Sequence, residues 1–520
     1  MSGISDARAA HTFPSVLHVT VAEPPGPAAT LGRAVAGQPL LDQRDGPRDE
    51  CGVFGIYAPE HDVARLAYFA LYALQHRGQE SAGIAAADAG GYIITQRSLG
   101  LVSQVFKEHD LRALSGDLAI GHVRYSTTGS NEWENSQPVH RSDGTGGNRR
   151  ELALAHNGNL INAVELHAQM RERDVTFSST SDSEIIAALL ATHPADDIED
   201  AIADVMPRLH GAFSTVVMTK KRVYAFRDPA GVRPLVLGML GDRYCVASET
   251  CAFDIIGARR LRDVAPGELV SIGEDGIRTR QIVAGAREAF CVFEYIYFAR
   301  PDSRMGGDVL QAARGRMGEI LAREAPAPTA DLVIAVPDSG NPAARGFARV
   351  SGLPQDDGLI KNRYVARTFI QPGQELRKHG LRMKFNPLPE VVAGRRLVVV
   401  DDSIVRGNTT RQIVSMLRDA GAEEVHMRIS APPIRHPCHY GIDMSTRQEM
   451  VAHERTEAEI AEELGCDSLR YLSLAGVYEA IGGTRETHCD ACFSGEYPLA
   501  GTAAAQRKDA FEHALPLVQA

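Results

Sequence analysis

The chain has 520 residues, of which 44% are hydrophobic and 23% charged. That is apolar sequence enough for more than one core, and length enough for two to four domains at roughly 100–200 residues each. Its 55 basic residues against 66 acidic ones leave a formal charge of −11, so it lacks the basic face of a general nucleic-acid binder; nor does any apolar run approach the roughly 18 residues that cross a bilayer.

Residues 1–50 are rich in Ala, Pro and Gly, show neither a helical nor an alternating period, and end in the polar run of residues 42–50. They are expected to form a disordered extension. They lack the basic start and compact apolar segment of a secretory signal, so the cytoplasm is the expected compartment. The eight cysteines are too few for a disulfide scaffold and read as buried thiols, metal ligands or catalysts. The character changes at Cys51-Gly52-Val53-Phe54-Gly55-Ile56-Tyr57, a short strand-like segment.

From there to about residue 285 the pattern is α+β. Strands are predicted over 152–155, 214–218 and 244–247, a helix from Ser183 through Leu190, and a β-rich stretch over 261–281 around the turn Pro266-Gly267. The second half differs. Residues 332–336 and 397–400 are continuous apolar runs, which suit parallel strands buried on both faces, and each leads through a Gly-containing loop into a helical pattern. That is the alternation of an open α/β sheet. The expected organisation is therefore an extension over 1–50, an α+β domain over 51–285 and an α/β domain over 286–520, without internal repeats.

Cys51 is the first residue with a chemical claim. By itself, a Cys in an apolar strand reads as core. If the chain is cut between Glu50 and Cys51, however, the new α-amine has a reference pKa of about 8 and lies within reach of its own thiol. One residue then supplies both nucleophile and base. Met1 is the only Met ahead of Cys51, so loss of the initiator cannot free that amine; attack of the thiol on the Glu50 carbonyl is the expected route.

Four segments follow in order: Leu74-Gln75-His76-Arg77-Gly78-Gln79-Glu80-Ser81, Gly121-His122-Val123-Arg124-Tyr125-Ser126-Thr127, His156-Asn157-Gly158-Asn159-Leu160 and Thr180-Ser181-Asp182-Ser183-Glu184. Taken singly they read as an exposed Arg–Asp pair and an Asn-Gly turn. Together with the Cys51 segment they resemble the N-terminal-nucleophile, or class II, glutamine amidotransferases, whose fold stacks antiparallel sheets between helices. The resemblance implies Cys51 as nucleophile, Arg124 on the glutamine α-carboxylate and Asp182 on its α-ammonium. It also implies an oxyanion hole made by the Asn157 side-chain amide and the Gly158 N–H, each donor worth roughly 3–4 kcal/mol.

In the second half the sharpest string is Val399-Val400-Asp401-Asp402-Ser403-Ile404-Val405-Arg406-Gly407-Asn408-Thr409-Thr410. Two carboxylates emerge at a strand end, where α/β sheets place ligands, and the loop behind them opens a helix whose N-terminal amides form an anion site. A bare Asp-Asp can equally be a helix cap. The full string closely resembles the 5-phosphoribosyl-1-pyrophosphate (PRPP) motif of type I phosphoribosyltransferases, with Asn408 where relatives usually carry Thr. By that resemblance Asp401 and Asp402 hold the ribose hydroxyls, and Ser403, Ile404, Val405, Arg406, Gly407, Asn408, Thr409 and Thr410 wrap the 5-phosphate. Ser339, in the second strand-end loop Val336-Pro337-Asp338-Ser339-Gly340, joins Asp401 and Asp402 in an Mg²⁺ site of hard oxygen ligands. Lys361 and Arg363 begin a basic stretch through Lys384 that is implied to be a lid over pyrophosphate.

Four cysteines remain. Cys489 and Cys492 form a chelating pair, whereas Cys291 and Cys438 are singles far upstream. From spacing alone they are buried thiols, a zinc site or an iron–sulfur cluster. Their surroundings, Cys291-Val292-Phe293-Glu294-Tyr295, His436-Pro437-Cys438-His439-Tyr440-Gly441 and Cys489-Asp490-Ala491-Cys492-Phe493, resemble the [4Fe–4S] ligand segments of one branch of the glutamine–PRPP amidotransferases of purine synthesis. The order of the two halves resembles that family over nearly all of 51–500.

The resemblance implies conversion of PRPP, glutamine and water to 5-phosphoribosylamine, glutamate and pyrophosphate. Ammonia would pass internally from Cys51 to C1 of PRPP, with Mg²⁺ and one [4Fe–4S] cluster bound. Feedback by purine nucleotides and a homotetramer are family expectations, with neither nucleic acid nor membrane as partner. Two rivals differ in class. A glucosamine-6-phosphate synthase would lack the Asp401-Asp402 loop, and a non-enzymatic PRPP-binding regulator would not need a complete glutaminase half. Cys245, Cys251 and Cys466 are expected to be buried thiols, and Trp133 has no assigned role.

Overall fold

A computed structural model describes residues 50–87, 90–125, 132–143, 150–362, 384–442, 444 and 446–499. The predicted disordered extension therefore lies outside the described residues except for Glu50. Thirteen strands build the first half: β1 Gly52–Tyr57, β2 Ser81–Ala87, β3 Ile93–Leu99, β4 Leu118–Arg124, β5 Val139–Asp143, β6 Arg150–Leu160, β7 Gly211–Met218, β8 Val223–Arg227, β9 Val236–Leu240, β10 Arg243–Ala247, β11 Arg259–Asp263, β12 Glu268–Gly273 and β13 Gly276–Gln281. They form a seven-stranded sheet in the order β11-β9-β10-β1-β4-β2-β3 and a six-stranded sheet in the order β13-β12-β8-β7-β6-β5.

Side-chain alternation along these strands stacks the two sheets. Val53 and Tyr57 of β1 enter a core shared with Ala153, Val216 and Val270 of the six-stranded sheet. Phe54 and Ile56, on the other face, pack under the helix Val63–Ala73. Helices Ala163–Arg171, Asp182–Ala191 and Ile198–Val205 cover the outer face of the six-stranded sheet in the same way. The predicted helix begins at Asp182, where the Ser181 side chain accepts from Ser183 N and caps the first turn.

The second half contains the predicted parallel sheet, in the order Leu332–Ala335, Arg396–Asp401, Glu424–Ile429, Ser468–Tyr471. Residues 397–400 are fully buried, as a strand covered on both faces requires. Helices Leu310–Glu324, Asn341–Ser351, Asn408–Asp419 and Glu457–Leu464 complete it. Its core also takes in Ala212, Ala230 and Val232 from the first half, and the described residues belong to a single compact unit. Phe290–Cys291, where the second half begins, pairs in parallel with His488–Cys489 near the end of the described chain.

Among the described residues no helix is long and apolar enough to cross a membrane.

Candidate active sites

Cys51 stands at the entrance to β1. The register that pairs Gly52 with Val123 sets it beside the Arg124 end of β4. Its thiol is buried and donates to the Tyr125 carbonyl at 3.3 Å. Burial pushes the thiol up to about 11, partly offset by a backbone hydrogen bond with Tyr125 and by the nearby Arg124 charge. Arg124 is itself buried, which pulls its pKa below the ordinary value, with Glu80 at 3.9 Å and Asp182 adding their charges.

Asp182 opens its helix and accepts from Leu160 N at 3.0 Å. Burial alone would raise its carboxyl; His156, at 3.7 Å, and the N–H groups of Leu160 and Ser183 outweigh that and hold it below the usual range. The thiol, Arg124 and Asp182 thus lie within electrostatic range of one another in a buried setting.

Asn157 and Gly158 lie on β6, joined to β4 by a hydrogen bond between His122 Nε2 and the His156 carbonyl at 3.0 Å. The Asn157 amide nitrogen is buried without a hydrogen-bond partner. An unsatisfied buried donor costs about 1–3 kcal/mol, which an incoming acceptor would offset. Gly158 has φ +149°, and a Cβ there would sit 2.0 Å from the Ala212 carbonyl oxygen, which leaves glycine as the residue that fits.

The residue ahead of Cys51 departs from expectation. Glu50, read as the end of a disordered run, is fully buried. It is taken into a cluster of charges: Arg77 Nη2 donates to its carboxylate at 3.0 Å, Arg233 pairs with it, and Arg77 also reaches Glu249 at 2.5 Å and Glu294 at 2.6 Å. Burial raises the Glu50 carboxyl well above its ordinary value, with the Glu294 charge adding to the rise, while Arg77 and Arg233 hold Glu294 below its own. Arg233, Glu249 and Glu294 carried no signal in the sequence, because each is an isolated charge on a different element.

In the second half Asp401 ends its strand and Asp402 follows, both buried. Asp401 accepts from Asp402 N at 2.9 Å, Ser403 Oγ donates to Asp402 at 2.6 Å, and the Ser339 hydroxyl hydrogen-bonds Asp402 as well. Burial raises both carboxyls, and the Asp402 charge pushes Asp401 further. Residues 403–407 then curl into the helix Asn408–Asp419, whose first turn holds Asn408, Thr409 and Thr410. Ile404 and Val405 anchor the loop in the core; Arg406 lies 3.8 Å from Glu449.

Lys361 pairs through its ammonium with Asp338 at 2.5 Å, next to Ser339 in the chain. Arg363 and the rest of the lid through 383 lie outside the described residues.

Cys291, Cys489 and Cys492 are buried and Cys438 partly so, and all four are free thiols. Cys291 and Cys489 are register partners, and Cys492 lies within electrostatic range of the other three. Burial pushes all four up, Cys489 to about 12. Among the described residues no three or more His, Cys, Asp or Glu converge tightly enough to hold a metal ion. Cys245, Cys251 and Cys466 are buried thiols, as expected.

Residues 122–254 match the family described as glutamine amidotransferase domain. The chain is 51% identical over 484 residues to the amidophosphoribosyltransferase of Mycobacterium tuberculosis, covering 91% of this chain and 90% of that one. The Bacillus subtilis amidophosphoribosyltransferase is 46% identical over 464 residues, covering 88% and 96%. The chain belongs to the amidophosphoribosyltransferase family. The solved structure of glutamine PRPP amidotransferase from B. subtilis, complexed with ADP and GMP, matches with TM-score 0.81 at 46% identity, over 86% of this chain and 97% of that chain.

Amidophosphoribosyltransferases join a glutaminase to a phosphoribosyl transfer. The protein is an enzyme. It carries out the glutamine-dependent conversion of PRPP to 5-phosphoribosylamine, with release of glutamate and pyrophosphate, in the first step of purine synthesis. Both rival readings, the sugar-phosphate amidotransferase and the non-enzymatic regulator, fall with that membership.

Proposed function

We propose that Cys51, once the Glu50–Cys51 bond has opened and residues 1–50 have left, is the N-terminal nucleophile that takes ammonia from glutamine. The buried meeting of its thiol with Arg124 and Asp182 carries the reading. Arg124 receives the substrate α-carboxylate and Asp182 its α-ammonium, which aligns the side-chain amide with Sγ. A thiol raised to about 11 does not ionise by itself at neutral pH, so the freed α-amine takes its proton as the C–S bond forms. Asn157 Nδ2 and Gly158 N–H hold the oxyanion. The proton passes to the departing nitrogen, ammonia leaves, and water splits the glutamyl thioester to glutamate and the thiol.

In the half that starts near residue 286, Asp401 and Asp402 hold the ribose hydroxyls while residues 403–410 wrap the 5-phosphate with loop amides and the first turn of Asn408–Asp419. Lys361 exchanges Asp338 for the pyrophosphate, and Arg363 shares that role. Ser339, Asp401 and Asp402 fit Mg²⁺ in donor chemistry, and two adjacent carboxyls raised by burial gain from a cation. When bound, Mg²⁺ offsets pyrophosphate charge. Ammonia moves inside the protein from Cys51 to C1, because ammonium formed in water has no lone pair to attack with.

We infer that Cys291, Cys438, Cys489 and Cys492 would hold a [4Fe–4S] cluster, as in the iron–sulfur branch of the family. Four free thiols, pushed up by burial and drawn into one locality, are stable as thiolates only beside cations. The cluster supplies a structural tie between the 488–493 segment and the body. Purine nucleotides as feedback inhibitors, extended from the ADP and GMP of the B. subtilis structure, a homotetramer and a cytoplasmic location complete the reading.

Cys51→Ala tests its centre. Glutamate release is lost and synthesis from added ammonia persists; unchanged glutamate release refutes the assignment.

A further inference from the structure

The oxyanion segment does not stand on the first half alone. On one side β6 pairs with β7, Gly158 opposite Phe213 and Asn159 opposite Ala212. Against it also lies a stretch from the second half, the residues just after Cys438. Asn159 Nδ2 donates to the His439 carbonyl at 3.1 Å, and Arg233 Nε donates to the Tyr440 carbonyl at 2.8 Å. Gly441 then meets Gly158 directly: a Cβ on Gly441 would sit 3.1 Å from the Gly158 carbonyl carbon and 3.2 Å from its Cα. Gly441 has φ +113°, a conformation that favours glycine, so the contact is backbone against backbone with no side chain between.

Backbone contacts of this kind set position more firmly than side-chain contacts, which yield by changing rotamer. We infer that Gly441 and Asn159 are positioning residues for the glutaminase step: the 438–441 segment, through its contact with Gly158 and the Asn159–His439 hydrogen bond, fixes where the Gly158 N–H stands. The inference rests on the proposed oxyanion role of Asn157 and Gly158. Its consequence is specific. Transition-state donation depends on the placement of that N–H, whereas ground-state grip on glutamine depends on Arg124 and Asp182, so displacement of the segment lowers kcat and spares KM.

Full-length Gly441→Ala, Asn159→Ala and Asn157→Ala are compared with the unsubstituted enzyme for glutaminase kcat and KM, for phosphoribosylamine synthesis from ammonia, and for melting temperature. Gly441→Ala is expected to lower glutaminase kcat by roughly 10- to 100-fold, the scale of an ångström-sized misplacement, with KM and the ammonia reaction within about twofold. Asn159→Ala shows the same pattern more weakly and covers the case in which Gly441→Ala does not fold. Wild-type kcat in both variants overturns the inference, as does a parallel fall of kcat, the ammonia reaction and melting temperature. Wild-type kcat in Asn157→Ala overturns instead the oxyanion assignment beneath it.

Discussion

Arg77 donates through Nε to the Cys51 carbonyl at 3.1 Å. Through Nη2 the same guanidinium reaches the Glu50 carboxylate at 3.0 Å, so it grips both residues that flank the Glu50–Cys51 bond, the one proposed to open. The bond is enclosed, with Glu50 0% and Cys51 5% exposed. An outside protease works on exposed, mobile chain. Enclosure therefore favours attack by the protein's own thiol on the Glu50 carbonyl, which forms a thioester, frees the α-amine, and ends when water releases the 1–50 segment.

Loss of the Glu50 carboxylate loosens that grip. Glu50→Ala is expected to slow release of residues 1–50 by roughly tenfold or more, since small misplacements of reacting atoms have effects of that order. Intact-mass time courses on freshly made protein measure it. Wild-type protein that never loses the segment removes the processing scheme altogether; release from Glu50→Ala at the wild-type rate removes Glu50 from it.

The Asp401–Asp402 pair makes PRPP binding depend on pH. Burial and the Asp402 charge raise Asp401 well above the usual carboxylate value, and a bound cation or ligand that favours the ionised form opposes that rise. Affinity for PRPP with Mg²⁺ therefore rises with pH until that group ionises. Titration calorimetry in buffers of different ionisation enthalpy should register proton release. Asp401→Asn should abolish it and weaken PRPP roughly 100-fold, about two charge-assisted hydrogen bonds, with glutaminase activity retained.

The cysteine set is tested by Cys492→Ser. Its thiol lies within electrostatic range of the other three. Iron and acid-labile sulfide content should fall together with melting temperature. Equal iron content in the variant and the parent contradicts the proposed ligand set.

His122 contributes a pH dependence to stability. It is fully buried, its Nδ1 has no partner, and burial pulls its pKa down to about 3. The folded state thus disfavours the proton that the unfolded state accepts near pH 6.5. Stability from this group is complete above that value and lost as pH falls toward 3. Between pH 7 and pH 5 the loss is about 2 kcal/mol. Urea unfolding of His122→Gln should show a correspondingly shallower slope over that window.

Sequence alone determined the parts of this protein whose chemistry is local. A strand, a carboxylate pair, a turn and a helix N-terminus lie together within residues 396–419, so contiguous backbone supplies the amides and the strand end supplies the acids. Continuous apolar runs over 332–336 and 397–400 likewise marked two strands of the parallel sheet, since burial on both faces is written residue by residue. Tertiary structure decided what depends on distant residues meeting. Glu50, Arg77, Arg233, Glu249 and Glu294 come from five separate segments, and none is marked as a partner by its neighbours in the chain. Gly158 and Gly441 meet for the same reason, with backbone from the two halves pressed together. Charge burial and close backbone approach are properties of the packed molecule, because only packing removes the water that would otherwise separate those groups.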